Sequence, residues 1–130
     1  MLIRASSYEY TIFTSQYYCS IGFADGSNIT INTCTMKVFM ISYDLGVPET
    51  SADYKLIKDH IEKNYSLWAK PLQSQWLVAV NDLTTATQVR DNIKKLLDTN
   101  DKVFVVQIET VQWASYNLPK KVTDWLKAKA

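Results

Sequence analysis

Asp44 closes the run Met36-Lys37-Val38-Phe39-Met40-Ile41-Ser42-Tyr43, so a strand apolar on both faces delivers one carboxylate at its end. Such a group can take part in chemistry, or it can organise a turn by accepting hydrogen bonds from the amides of Leu45 and Gly46. The other residue types narrow the chemistry. His60 is the only histidine and lies among Ile57, Lys58 and Ile61 in a helical pattern, where a surface or boundary role is expected. No Cys-His or Ser-His pair is signalled, which disfavours nucleophilic catalysis with a histidine base. The three glycines make no Gly-rich loop ahead of a helix, which disfavours a nucleotide-cradling site. Trp68, Trp76, Trp113 and Trp125 can stack on bases, although core or dimer packing explains them more simply.

The elements that must position Asp44 are sharply punctuated. Leu45-Gly46-Val47-Pro48-Glu49 breaks the strand, and Thr50-Ser51-Ala52-Asp53 has the form of a capping box. Tyr54, Ile57 and Ile61 follow at helical spacing, with Lys55, Lys58, Glu62 and Lys63 on the wet face. Residues 67–70 and 74–80 read as a hairpin of two strands around Pro71-Leu72-Gln73. Thr85-Ala86-Thr87-Gln88 is a second capping box, for a helix lined by Val89, Ile93, Leu96 and Leu97 that stops at Asp98-Thr99-Asn100-Asp101. Residues 102–108 form the last strand, and Pro119 starts a short helix with Val122, Trp125 and Leu126 on its apolar side. The order predicts an α+β, ferredoxin-like βαββαβ sandwich with a short C-terminal helix. Two helices cover only one face of such a sheet. The first and last strands are apolar on both faces, which predicts a homodimer whose sheets face each other or are bridged by the C-terminal tail.

Residues 1–35 differ in kind, being rich in Ser, Thr, Tyr, Asn and Ile with Arg4 as their one basic residue. They read as an N-terminal extension ahead of a domain at 36–130, either loose β structure with a turn at Ala24-Asp25-Gly26-Ser27 or a segment upstream of a true start at Met36. Cys19 and Cys34 match no metal spacing, and reduced thiols are expected. Fourteen basic against thirteen acidic residues leave a formal charge of +1, so any nucleic-acid contact must rest on a local patch. No apolar run reaches a membrane span and residues 2–5 lack signal-peptide character, so no membrane and a cytoplasmic location are expected.

Tyr43-Asp44-Leu45 resembles the end of the first strand in the small nuclease-like subunit of CRISPR adaptation complexes. Gln73-Ser74-Gln75-Trp76 is similar to that family's glutamine, serine and aromatic at the start of the third strand, and Asp101-Lys102-Val103 to its acidic turn entering the last. The same order fits the related SinR-like and virulence-associated protein D groups, and Leu118-Pro119 with Trp125-Leu126 is most similar to the SinR-like tail. The resemblance runs from residue 36 to about residue 126. It implies a homodimer in which Asp44 of each protomer approaches the other across the two-fold axis and holds Mg2+ or Mn2+. The implied activity is a metal-dependent endoribonuclease.

Carboxylate oxygens and water suit those hard cations, and such an ion can stabilise charge on a phosphodiester or activate a water. Ser74 would orient a phosphate or the metal water, or act as a local backbone acceptor. Members with nuclease activity carry arginines early in the first helix. Here that stretch reads Ser51-Ala52-Asp53-Tyr54-Lys55, and Lys55 and Lys58 are the nearest cations, without the fork that grips phosphate. Lys120, Lys121, Lys127 and Lys129 make the C-terminus locally basic and, with Lys94 and Lys95, can touch a nucleic-acid backbone. The competing expectation is a non-catalytic dimeric module that binds RNA, DNA or a protein partner through its tail or basic helices.

Overall fold

The computed structural model describes residues 9–14, 17–24, 28–30 and 35–129, and divides the chain into two units, Met1–Thr35 and Met36–Ala130. In the first unit β1 (Glu9–Thr14), β2 (Tyr17–Ala24) and β3 (Asn28–Thr30) form an antiparallel sheet in that order. Cys34 and the side chain of Cys19, on which the expectation of reduced thiols falls, lie outside the described residues.

The second unit is α+β, with β4 (Met36–Asp44), α1 (Ser51–Asn64), β5 (Trp68–Leu72), β6 (Gln75–Asn81), α2 (Ala86–Lys94), β7 (Lys102–Ile108) and α3 (Lys120–Lys129). Its strands are ordered β5-β6-β4-β7, and each neighbouring pair is antiparallel. Each helical crossover therefore joins two strands that flank a third: β6 lies between β4 and β5, and β4 between β6 and β7. Both capping boxes form. Thr50 Oγ1 accepts from the Asp53 amide at 3.3 Å while the Asp53 carboxylate accepts from the Thr50 amide at 2.8 Å. Thr85 and Gln88 repeat the exchange at 3.2 and 2.9 Å, satisfying first-turn amides that have no partner within the helix.

Alternation along the strands sorts the core into two layers. Phe39, Ile41 and Tyr43 of β4, with Trp76 and Val78 of β6, meet Ile57 and Ile61 of α1 and Val89 and Ile93 of α2. On the opposite face Val38, Ala69, Leu77 and Ala79 meet Val122 and Leu126 of α3, with Trp113, Leu118 and Trp125 packed beside them. The face that argued for a partner is thus covered in large part by the chain's own tail, because the 109–119 connection lets an amphipathic helix return over the sheet.

Several boundaries differ from the sequence reading, among them β5, which runs through Pro71 and Leu72 where a turn was expected. α2 ends at Lys94, short of Leu97, because the Leu96 and Leu97 amides bond three residues back, to Ile93 and Lys94 at 3.0 and 3.1 Å. That tighter turn still brings both leucines to the core. Ser74 lies in the turn and β6 starts at Gln75. Pro71, which has no amide proton, sits in the edge strand β5 beside an irregularity in its pairing. Among the described residues no helix is long and apolar enough to cross a membrane.

Candidate functional site

Asp44 is the exposed last residue of β4, a central strand paired on both sides. In the ladder it stands opposite Lys102 of β7, and Ser42, two residues earlier on the same face, stands between Phe104 of β7 and Gln75 of β6. Gln75 Nε2 donates to Ser42 Oγ at 3.3 Å. This end of the face lies beyond the α3 cluster, and Phe104 remains 63% exposed. No hydrogen bond or ion pair engages the Asp44 carboxylate among the described residues.

The turn after Asp44 is organised by another aspartate. Asp101 Oδ1 accepts from the Gly46 amide at 2.8 Å, and Asp101 Oδ2 accepts from the Asp98 amide at 2.7 Å, so one side chain ties the loop after β4 to the turn before β7. Asn100 Nδ2 donates to the Val47 carbonyl at 3.2 Å. The approach is close enough that a Cβ on Gly46 would fall 2.3 Å from the Asn100 side chain and 2.8 Å from its carbonyl oxygen, so the position requires glycine. The Asp44 carboxylate is thereby released from the turn-making role expected of an aspartate after a strand.

Tyr43 anchors the strand end from the core side. Its hydroxyl accepts from Trp76 Nε1 at 3.1 Å and donates to the Gln73 carbonyl at 3.3 Å, and its amide donates to the Ser74 carbonyl at 3.1 Å. Burial pushes the Tyr43 phenol above its ordinary range, with the Trp76 hydrogen bond pulling the other way. Tyr54, whose hydroxyl donates to Glu49 at 2.8 Å, is also raised. The hydrogen bond to Glu49 is the main cause, followed by burial and the negative charges of Glu49, Tyr43 and Asp44.

Ser74 therefore adjoins the Asp44 end of β4 through its backbone carbonyl. Three of the cations expected to meet nucleic acid are engaged locally: Lys55 with Asp59, Lys58 with Glu62 at 3.6 Å, and Lys120 with Asp124, each one helical turn apart. Lys121 is exposed on α3. His60 joins the two helices, with Nε2 on Asn92 Oδ1 at 2.7 Å and Nδ1 3.3 Å from Asn64 Nδ2. An amide oxygen can only accept, so the proton of the neutral ring belongs on Nε2. Trp76 is fully buried and packs edge-on to Trp68 at 5.3 Å, which leaves it no base to stack on.

Sequence reasoning missed the linking role of Asp101 and the Asn92 bridge. Their partners lie 55 and 32 residues away, and neither motif is contiguous. Among the described residues no group of three or more His, Cys, Asp or Glu is placed to hold a metal ion. One chain supplies a single unengaged carboxylate at this strand end, that of Asp44, which does not by itself fit a resident divalent cation. No family model matches the chain.

Proposed function

We propose that the protein is a small homodimeric nuclease-like protein, a divalent-metal-dependent endoribonuclease whose site is completed when Asp44 of two protomers come together. The reading places it with the small CRISPR-associated nuclease-like subunits and their SinR-like and virulence-associated protein D relatives. The interlocked crossovers and the β5-β6-β4-β7 order support a ferredoxin-like description of the sheet. The observation that carries the functional reading is the unengaged, exposed Asp44 carboxylate on the part of the sheet face that α3 leaves open, beside Phe104.

Since one chain does not fit the ion, a second copy must supply the other carboxylate. Bound Mg2+ or Mn2+ would neutralise charge on a phosphodiester. This chain's residues contribute a rigid strand end and the Gly46–Asp101 link that keeps Asp44 clear of the turn. The test is RNA cleavage with Mg2+ or Mn2+ by wild type and by Asp44→Ala, with mass measured by light scattering. Cleavage lost in a variant that is still dimeric is the expected result, and cleavage that survives the substitution refutes the assignment.

The second reading is a non-catalytic dimeric module that binds nucleic acid or a protein. It is favoured by the absence of a ligand cluster among the described residues. In that case Asp44→Ala is silent, and Lys121→Glu with Lys127→Glu abolishes binding. Deleting α3 would be a poor test, because it uncovers Val38, Leu77 and Ala79.

A further inference from the structure

A surface cleft of about 490 Å³ lies at the end of α2, against the turn that holds the Asp44 loop, and falls within the size range of small-molecule sites. It is lined by Arg90, Lys94, Asp98 and Thr99 and by the apolar side chains of Leu97 and Val103. Lys94 and Asp98 are one helical turn apart in sequence and line the same cleft, yet no ion pair joins them, and neither side chain has another partner among the described residues. Among the described residues Arg90 is paired only with its neighbour Asp91, both about half exposed, an interaction weak enough to yield to a ligand. Asp101 also borders the cleft, but its two oxygens are taken by the Gly46 and Asp98 amides, so it shapes the turn.

We propose that this cleft is a guanine-nucleotide subsite for the RNA strand, with the phosphate on Arg90 and Lys94, the base over Leu97 and Val103, and the base edge on Asp98. The inference deepens the nuclease reading and rests on it for the ligand being RNA. A carboxylate only accepts hydrogen bonds, and guanine alone presents two adjacent donors, N1–H and the 2-amino group, on one edge. Adenine presents one donor beside an acceptor that would face Asp98 unfavourably. α2 ends at the cleft, where its roughly half negative charge opposes a phosphate and Asp98 and Asp101 add two full negative charges, so the phosphate is held by direct contact with Arg90 and Lys94 and not by the net field. Sequence pattern argued against a nucleotide cradle because no Gly-rich loop precedes a helix; this cleft is built from side chains of α2 and of the turn that follows it. Arg90 lies toward the same end of the sheet as Asp44 but over the face under α1 and α2, opposite the one that carries Asp44, so a strand that reaches both passes around the edge strand β7.

The experiment is titration of the full chain with 5′-GMP and 5′-AMP in EDTA, followed by backbone amide chemical shifts. Saturable shifts across residues 97–103, with 5′-GMP bound about tenfold more tightly than 5′-AMP, are expected. Arg90→Ala with Lys94→Ala should weaken both nucleotides about tenfold, and Asp98→Asn should abolish the preference while 5′-AMP binding persists. Equal binding of the two nucleotides, no saturable shift, or shifts indifferent to these variants overturns the proposal. Binding is read without metal or cleavage, so the two readings fail separately. A chain that binds 5′-GMP at the cleft but cuts no RNA retires the nuclease, whereas one that cuts through Asp44 without binding 5′-GMP retires the subsite.

Discussion

The face of the sheet under α1 and α2 and the face under α3 are built from the same strands but finished differently. On the first, Ile41, Ile61, Trp76, Val78 and Ile93 are fully buried and two capped helices span the surface. On the second, α3 covers Val38, Leu77 and Ala79 and stops short of Ser42, Asp44 and Phe104. The first face spends its residues on cohesion. The second leaves one end free for a ligand or a second copy, and that end holds Ser42 and Asp44, the polar residues that β4 contributes to this face.

Substitutions can break this contrast in graded steps. Trp76→Ala should cost about 3–5 kcal/mol in urea unfolding, since it empties the centre of the first layer and removes the donor to the Tyr43 hydroxyl. A cost no greater than that of a surface change would show that the layer is not cohesive. Leu126→Ala on the second face should cost less, about 2–3 kcal/mol, because α3 is short and its neighbours can settle into the space. A loss matching that of Trp76→Ala would make the two faces equivalent.

Gly46→Ala should cost about 1–3 kcal/mol by forcing the two loops apart, and Asn100→Ala should restore only part of it, since the Asn100 carbonyl stays in the way. Full restoration would locate the clash in the side chain alone. Asp44→Ala should move the unfolding midpoint least, within about 0.5 kcal/mol, as expected of an exposed group with no structural bond. A large loss there would return Asp44 to a turn-making role.

Much of the layout was legible in local patterns. Thr50 with Asp53 and Thr85 with Gln88 marked both helix starts, and the run at 102–108 marked β7, because capping and alternation are short-range effects. The end of α2 was misplaced. Leu96 and Leu97 continue the apolar pattern, and pattern does not distinguish a helix from the tighter turn that replaces it. Asp101 was visible as an acidic turn residue, but its hold on Gly46 depends on two loops meeting in space.

The spacing of apolar and capping residues along the chain specifies the helices and strands of the second unit, their order and the carboxylate at the end of β4. Three features arise from packing alone: α3 returns over the second face, Asp101 takes over the turn after Asp44, and Arg90, Lys94 and Asp98 line one cleft. Each of these joins residues brought together by packing, and the energy that fixes them comes from burial and hydrogen bonding between segments with no signature in either one alone.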